Sequence, residues 1–205
     1  IAQCQIANVS QNETLDAMAA TVLAGAPDRF ALAGLSMGGY VCHAIMRRAP
    51  ERVEKLALLD TSARADTEEQ SERRRQLIAM SEVDKFRGVT DRLLPLLIAS
   101  YRLDDVDLTQ RIKEMAERVG EDAFYRHQRA IMARPDSRDQ LAGYDLATLV
   151  ACGRDDTLTP VELHEEMAAS IPGARLALIE ECGHLSTMEQ PQAVTALLRQ
   201  WLLHD

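Results

Sequence analysis

The chain of 205 residues is 46% hydrophobic and 27% charged, with 10 Gly, 7 Pro and 4 Cys, a globular composition that excludes disulfide-stapled miniproteins, fibrous repeats and disordered tails. With 32 acidic against 23 basic side chains the formal charge is -9, and aromatics are only 4%, so neither nucleic acid nor an anionic membrane surface is expected as a partner. Cys4, Cys42, Cys152 and Cys182 are scattered without Cys-x-x-Cys spacing, the pattern of free thiols in a reducing cytoplasm, and no apolar run reaches the ~20 residues of a membrane helix.

Ile1 to Val9 is short and apolar and is predicted as a strand; Ser10 and Asn12 then precede a helical spacing of Leu15, Met18, Ala19, Val22 and Leu23. Gly25, Pro27 and Asp28 break the chain before Phe30-Ala31-Leu32-Ala33-Gly34, a strand apolar on both faces. Ser36 to Ala49 reads as a buried helix stopped by Pro50. Further strands are predicted at Val53 to Asp60, Thr148 to Cys152 and Arg175 to Ile179, each beside a helical segment. Such alternation describes an α/β fold, a mostly parallel sheet with helices on both faces.

Ala63 to Leu146 carries no strand signal, and a structureless loop of that length is implausible. Leu108, Ile112, Met115 and Val119 recur at helical spacing there. Residues 63–146 are therefore read as an inserted helical cap on a core of residues 1–62 and 147–205. Arg73 to Arg75, flanked by Glu68, Glu69 and Glu72, reads as a solvated helix face.

The most informative run is Phe30-Ala-Leu-Ala-Gly34-Leu-Ser36-Met-Gly38-Gly39-Tyr40, a strand, a Gly-x-Ser-x-Gly turn and a helix. A serine in a sharp turn between buried elements needs small neighbours, and a side chain at 34 or 38 is expected to collide with backbone. The hydroxyl is thereby presented at the carboxyl edge of the sheet. The backbone N–H of Met37, at the positive end of the following helix, would face an oxygen acquiring negative charge, half of an oxyanion hole. After the fourth predicted strand, Thr148 to Cys152, comes Gly153-Arg-Asp155-Asp156-Thr-Leu-Thr-Pro160, and after the fifth comes Glu180-Glu-Cys-Gly183-His184. Serine, acid and histidine thus occur in that order, each just past a strand end, where open α/β sheets bind ligands.

In these motifs the chain resembles the α/β-hydrolase fold superfamily, and most of all its small cap-bearing bacterial lactonases and carboxylesterases. Gly34-Leu-Ser36-Met-Gly38-Gly39 matches the nucleophile elbow, Gly153-x-x-Asp156-x-x-x-Pro160 the acid loop and Gly183-His184 the histidine loop. The resemblance implies a cofactor-independent serine hydrolase for a small-molecule ester, lactone or thioester, with Ser36 as nucleophile, His184 as base, Asp156 as orienting acid and no metal. Acyl transfer, carbon–carbon hydrolysis, perhydrolysis and a non-catalytic binding role fit the same residues. The family spacing favours Asp156 over Asp155, which could cap the next helix, and over Asp60, where some members carry the acid. The resemblance also implies strands before Ile1, with a second oxyanion donor in the loop that follows one of them, so the amino-terminal strands are read as missing and the chain as part of a longer product. His43 is expected in the core, Cys152 and Cys182 as inert buried thiols. Met80, Met115 and Met132 are candidates for an adaptable apolar pocket in the cap.

Overall fold

The computed structural model describes residues 1–83 and 88–204. Its sheet has four parallel strands in the order β1-β2-β3-β4, formed by Phe30–Leu35, Val53–Leu59, Ala147–Gly153 and Arg175–Ile179. The strand pattern follows from side-chain alternation. Leu56 and Leu58 of β2 and Val150 of β3 enter one core, with helices α1 (Leu15–Gly25), α2 (Met37–Arg48) and α7 (Val161–Ser170). Ala57, Leu59, Leu149 and Ala151 face the other side, against Val194 and Trp201 of α9 (Pro191–His204). Both faces being covered is what the continuous apolar runs dictated.

Ile1–Val9 forms no strand, contrary to expectation. Residues 1–8 are exposed, and the segment ends docked on α6 (Glu121–Met132), where Arg126 Nε donates to the Ser10 carbonyl at 2.9 Å and His127 Nε2 lies 3.3 Å from the Val9 carbonyl. An apolar run becomes a strand only where a sheet edge receives its backbone, and this one pairs with none. The cap of α1 is Thr14, whose hydroxyl accepts from Ala17 N at 3.1 Å, rather than Ser10 or Asn12.

Between β2 and β3 lie α3 (Glu68–Val83), α4 (Leu94–Leu97), α5 (Val106–Val119), α6 and a 3-10 turn at Arg138–Gly143. On α5, Leu108 and Ile112 pack with Leu94 and Ile98, while Met115 and Val119 turn outward at 38% and 47% exposure. Among the described residues the apolar stripe is therefore buried only along its amino-terminal half. Arg73 and Arg75 do sit on a solvated face, paired with Glu69 and with Glu68 and Glu72. Arg74 does not: it points inward to Asp66 at 2.9 Å and Gln128 at 2.9 Å. No described helix is long and apolar enough to cross a membrane.

Candidate active site

The turn from β1 into α2 holds Ser36 at φ 52° and ψ -117°, a conformation L-residues adopt at a cost and that persists only where the surroundings fix it. Two contacts supply that constraint. Ser36 N donates to the Leu59 carbonyl at 2.9 Å, and its own carbonyl accepts from Thr61 Oγ1 at 2.8 Å. A Cβ on Gly34 would fall on the Gly38 carbonyl and within 2.6 Å of Cys42 Sγ, as expected of the motif. The second close approach is at Gly39, where a Cβ would strike Thr61, and not at Gly38, around which there is open space.

His184 Nε2 lies 2.8 Å from Ser36 Oγ, and its Nδ1 lies 2.8 Å from Asp156 Oδ2. With a carboxylate at Nδ1 the ring proton sits on Nδ1, and Nε2 presents a lone pair to the serine hydroxyl. His184 is 4% and Asp156 3% exposed, so the pair operates away from bulk water. Burial by itself would raise the Asp156 pKa. Hydrogen bonds from His184 and from Thr159 outweigh it and hold the carboxyl below its usual range. Leu158 N and Thr159 N each donate to Oδ1 at 2.9 Å and Thr159 Oγ1 donates to Oδ2 at 2.7 Å, so every lone pair facing the protein is engaged.

Asp155 and Asp60 are not against the imidazole. Asp155 is exposed and contributes its backbone N–H to the Cys182 carbonyl at 2.8 Å. Asp60, fully buried at the end of β2, accepts from Gly153 N at 3.1 Å and from the Ser186 N–H and hydroxyl. Burial pushes its carboxyl up to about 7 against the opposing pull of Ser186 and His184. Met37 opens α2, so its backbone N–H belongs to the first turn, where helical donors have no intrahelical partner.

Several residues of the site carry no sequence signal. His164 on α7 accepts from Thr61 N at Nε2, 2.9 Å, and its Nδ1 lies 3.3 Å from the Pro160 carbonyl; burial lowers its pKa to about 4 and keeps it neutral. Thr61 thus joins the elbow to α7. Glu189, 3% exposed in the short helix α8 (Ser186–Glu189), accepts from Gly183 N and Leu185 N beside the histidine and from Ala99 N across the chain. Only Thr159 falls inside a motif readable from the sequence. His43 is in the core as expected, its Nδ1 2.9 Å from the Tyr144 hydroxyl, with burial lowering its pKa to about 4. Burial also pushes the Cys42 and Cys152 thiols up to about 12 and Cys182 higher still, which leaves them protonated and unreactive. Met115 lines an open cleft of about 420 Å³ with Arg111, Glu114, Arg118 and Met188, whereas Met80 is 52% exposed.

Among solved structures the chain is similar to a thermophilic esterase from Thermogutta terrifontis, with a TM-score of 0.85 and 32% identity over 97% of this chain and 74% of that one. It is also similar to the enol-lactonase from Burkholderia xenovorans LB400, with a TM-score of 0.82 and 25% identity over 92% and 73% of the two chains. A pimeloyl-[acyl-carrier protein] methyl ester esterase from Nitrosomonas europaea is 26% identical over 187 residues, 88% of this chain and 74% of the relative. A family model described as the alpha/beta hydrolase family matches residues 7–197. With that match spanning both the elbow and the histidine loop, and with esterases and a lactonase among its relatives, the chain belongs to the alpha/beta hydrolase family and is an enzyme of that type.

Proposed function

We propose that the protein hydrolyses a small carboxylic ester, lactone or thioester through an acyl-enzyme on Ser36, without a cofactor. The observation that carries this reading is the unbroken relay from Ser36 Oγ to His184 Nε2 and from Nδ1 to Asp156, both contacts being 2.8 Å. In the first step Ser36 Oγ forms a bond to the acyl carbon while its proton passes to His184 Nε2. Asp156 holds the imidazole in the productive tautomer and stabilises the imidazolium. The Met37 N–H receives the developing oxyanion as one donor. Collapse expels the alcohol or thiol, which takes the proton from Nε2; a water then gives a proton to Nε2 and attacks the acyl carbon, and as the Ser36 Oγ–acyl bond breaks Oγ takes that proton back and the acid is released.

Residues 63–146 serve in this reading as the cap under which the acyl group enters. The names of the relatives, esterase and enol-lactonase, support the substrate class. The test is Ser36→Ala with activated esters of graded acyl length, alongside a fluorophosphonate probe. Turnover is expected to fall at least about 10⁴-fold, and the parent is expected to take up one probe per chain at Ser36. Undiminished turnover in Ser36→Ala, or labelling at another residue, would place the nucleophile elsewhere.

A further inference from the structure

The histidine loop is held against the segment that follows α4. Leu185 N donates to the Leu97 carbonyl at 3.0 Å, and a Cβ on Gly183 would strike Ala99 N and the backbone of Ile98. Glu189 fastens this contact. Its Oε1 accepts from Gly183 N at 3.0 Å and Leu185 N at 3.3 Å, the residues on either side of His184, and its Oε2 accepts from Ala99 N at 2.8 Å. Arg102 Nη1 in turn donates to the Glu189 carbonyl at 2.9 Å and its Nη2 to Asp105 at 2.7 Å. A carboxylate with both oxygens committed to backbone N–H groups is a rigid staple, and here it joins two segments 90 residues apart.

We propose that Glu189 is a positioning residue for the reaction: it sets the height of His184 over Ser36 by locking the histidine loop to the backbone of residues 97–99. The proposal rests on the serine-hydrolase reading above. Residues 97–99 lie within the segment read as the cap, so in this arrangement that segment and the loop of the base share one anchor. A displacement of the imidazole by about 1 Å is enough to cost on the order of 100-fold in rate, so loss of the staple should be felt at the chemical step rather than in substrate affinity.

Two variants test it in the full chain, with p-nitrophenyl acetate turnover and the rate of Ser36 phosphonylation as readouts, well below each variant's melting temperature. Glu189→Gln keeps the size of the side chain but sets an amino group against either Ala99 N–H or the pair flanking His184. Ala99→Pro removes the donor from the opposite side at a position whose φ of -59°, after an extended Ile98, suits proline, although the ring carbon requires the carboxylate to swing aside. Each is expected to lower kcat and the phosphonylation rate about tenfold or more with KM within about twofold, and the double variant is expected to be no worse than the poorer single, as for one shared interaction. Folded variants that phosphonylate as fast as the parent would overturn the proposal while leaving the hydrolase reading intact, as would a loss confined to KM. If one variant fails to fold the other decides, and if neither folds Glu189 is a structural residue and the positioning role is lost. A parent chain that is not labelled at Ser36 would overturn the hydrolase reading and this proposal with it.

Discussion

Two aspartates end neighbouring strands near one histidine, and their surroundings divide the work between them. Asp156 receives two backbone N–H groups, a threonine hydroxyl and the imidazole, a set of donors that favours the anion. Asp60 has fewer donors and complete burial, which favours the acid, with a pKa pushed up to about 7. This gives acid stability a definite sign. Between the ordinary aspartate value and about 7 the folded chain keeps a proton on Asp60 that the unfolded chain has released, so Asp60 lends stability at low pH and withdraws it as pH rises. His164 and His43, both lowered to about 4 by burial, act oppositely: their contribution is complete above the ordinary histidine value and is lost as pH falls towards 4. Asp60 therefore offsets part of the acid sensitivity of the two histidines. Asp60→Asn is expected to lose stability more steeply than the parent between pH 6.5 and 4.5, by up to about 1.4 kcal/mol per pH unit, measured as urea midpoints at each pH. Parallel curves for the two proteins would show that Asp60 is already ionised throughout that range.

At the scale of elements, the turn between β1 and α2 combines what a motif reveals with what it hides. Gly34 and Ser36 are legible because strand, sharp turn and buried helix leave few residue types that fit. Which later glycine is essential is not legible, because it depends on Thr61 from the end of β2, which approaches Gly39 and leaves Gly38 facing open space. Gly38→Ala is accordingly expected to be neutral or to stabilise by up to about 1 kcal/mol, as alanine suits a helix better than glycine. Gly39→Ala is expected to destabilise by about 1–3 kcal/mol through overpacking and to shift Thr61 off the Ser36 carbonyl. Thermal melts of the two variants separate the outcomes, and equal destabilisation would contradict the geometry. The same distinction runs through the molecule. The strands β1 to β4 and the elbow, acid and histidine loops were readable from local pattern. Ile1–Val9 misled because its apolar residues favour a strand without fixing which edge receives it, and here it pairs with none although β1 is an edge strand. The roles of Glu189 and His164, and the contact of Asp60 with Ser186, were invisible because the partners stand 90, 103 and 126 residues away, and nothing in a single sequence reports such pairs.

At the scale of the whole molecule, the excursion between β2 and β3 leaves and returns through a neck whose two sides are stitched together. Ser137 N donates to the Ala63 carbonyl at 2.7 Å, and Arg134 Nε donates to the Arg64 carbonyl at 2.8 Å. The Arg134 guanidinium also pairs with Asp66, donates to the Ile131 carbonyl at 3.2 Å and lies 4.4 Å from the ring centroid of Tyr40 on α2. Asp66 is shared with the inward Arg74 of α3, so one buried carboxylate gathers α3, the return of the chain and, through Tyr40, the helix that begins at the nucleophile elbow. Arg134 has 5% and Asp66 0% of its side chain exposed. Ion pairs this dry contribute little relative to an apolar replacement of the whole group, but removing Arg134 leaves the buried Asp66 with Arg74 and Ser71 alone and takes a donor from the Arg64 and Ile131 carbonyls. Arg134→Met is therefore expected to destabilise by about 3–5 kcal/mol. Arg134→Lys should recover less than half of that, since an ammonium cannot bond the Arg64 carbonyl, Asp66 and the Ile131 carbonyl from one planar fork. Arg73→Ala is the control: its pair with Glu69 is 70% and 76% exposed, and its loss should change stability by no more than about 0.5 kcal/mol. Urea denaturation of the three variants measures the contrast, and because the Arg134 network is shielded from solvent its effect should persist in high salt while any effect of Arg73 fades. An Arg134→Met variant no weaker than Arg73→Ala would mean that the neck is held by backbone contacts such as Ser137 to Ala63, with the buried charges as passengers.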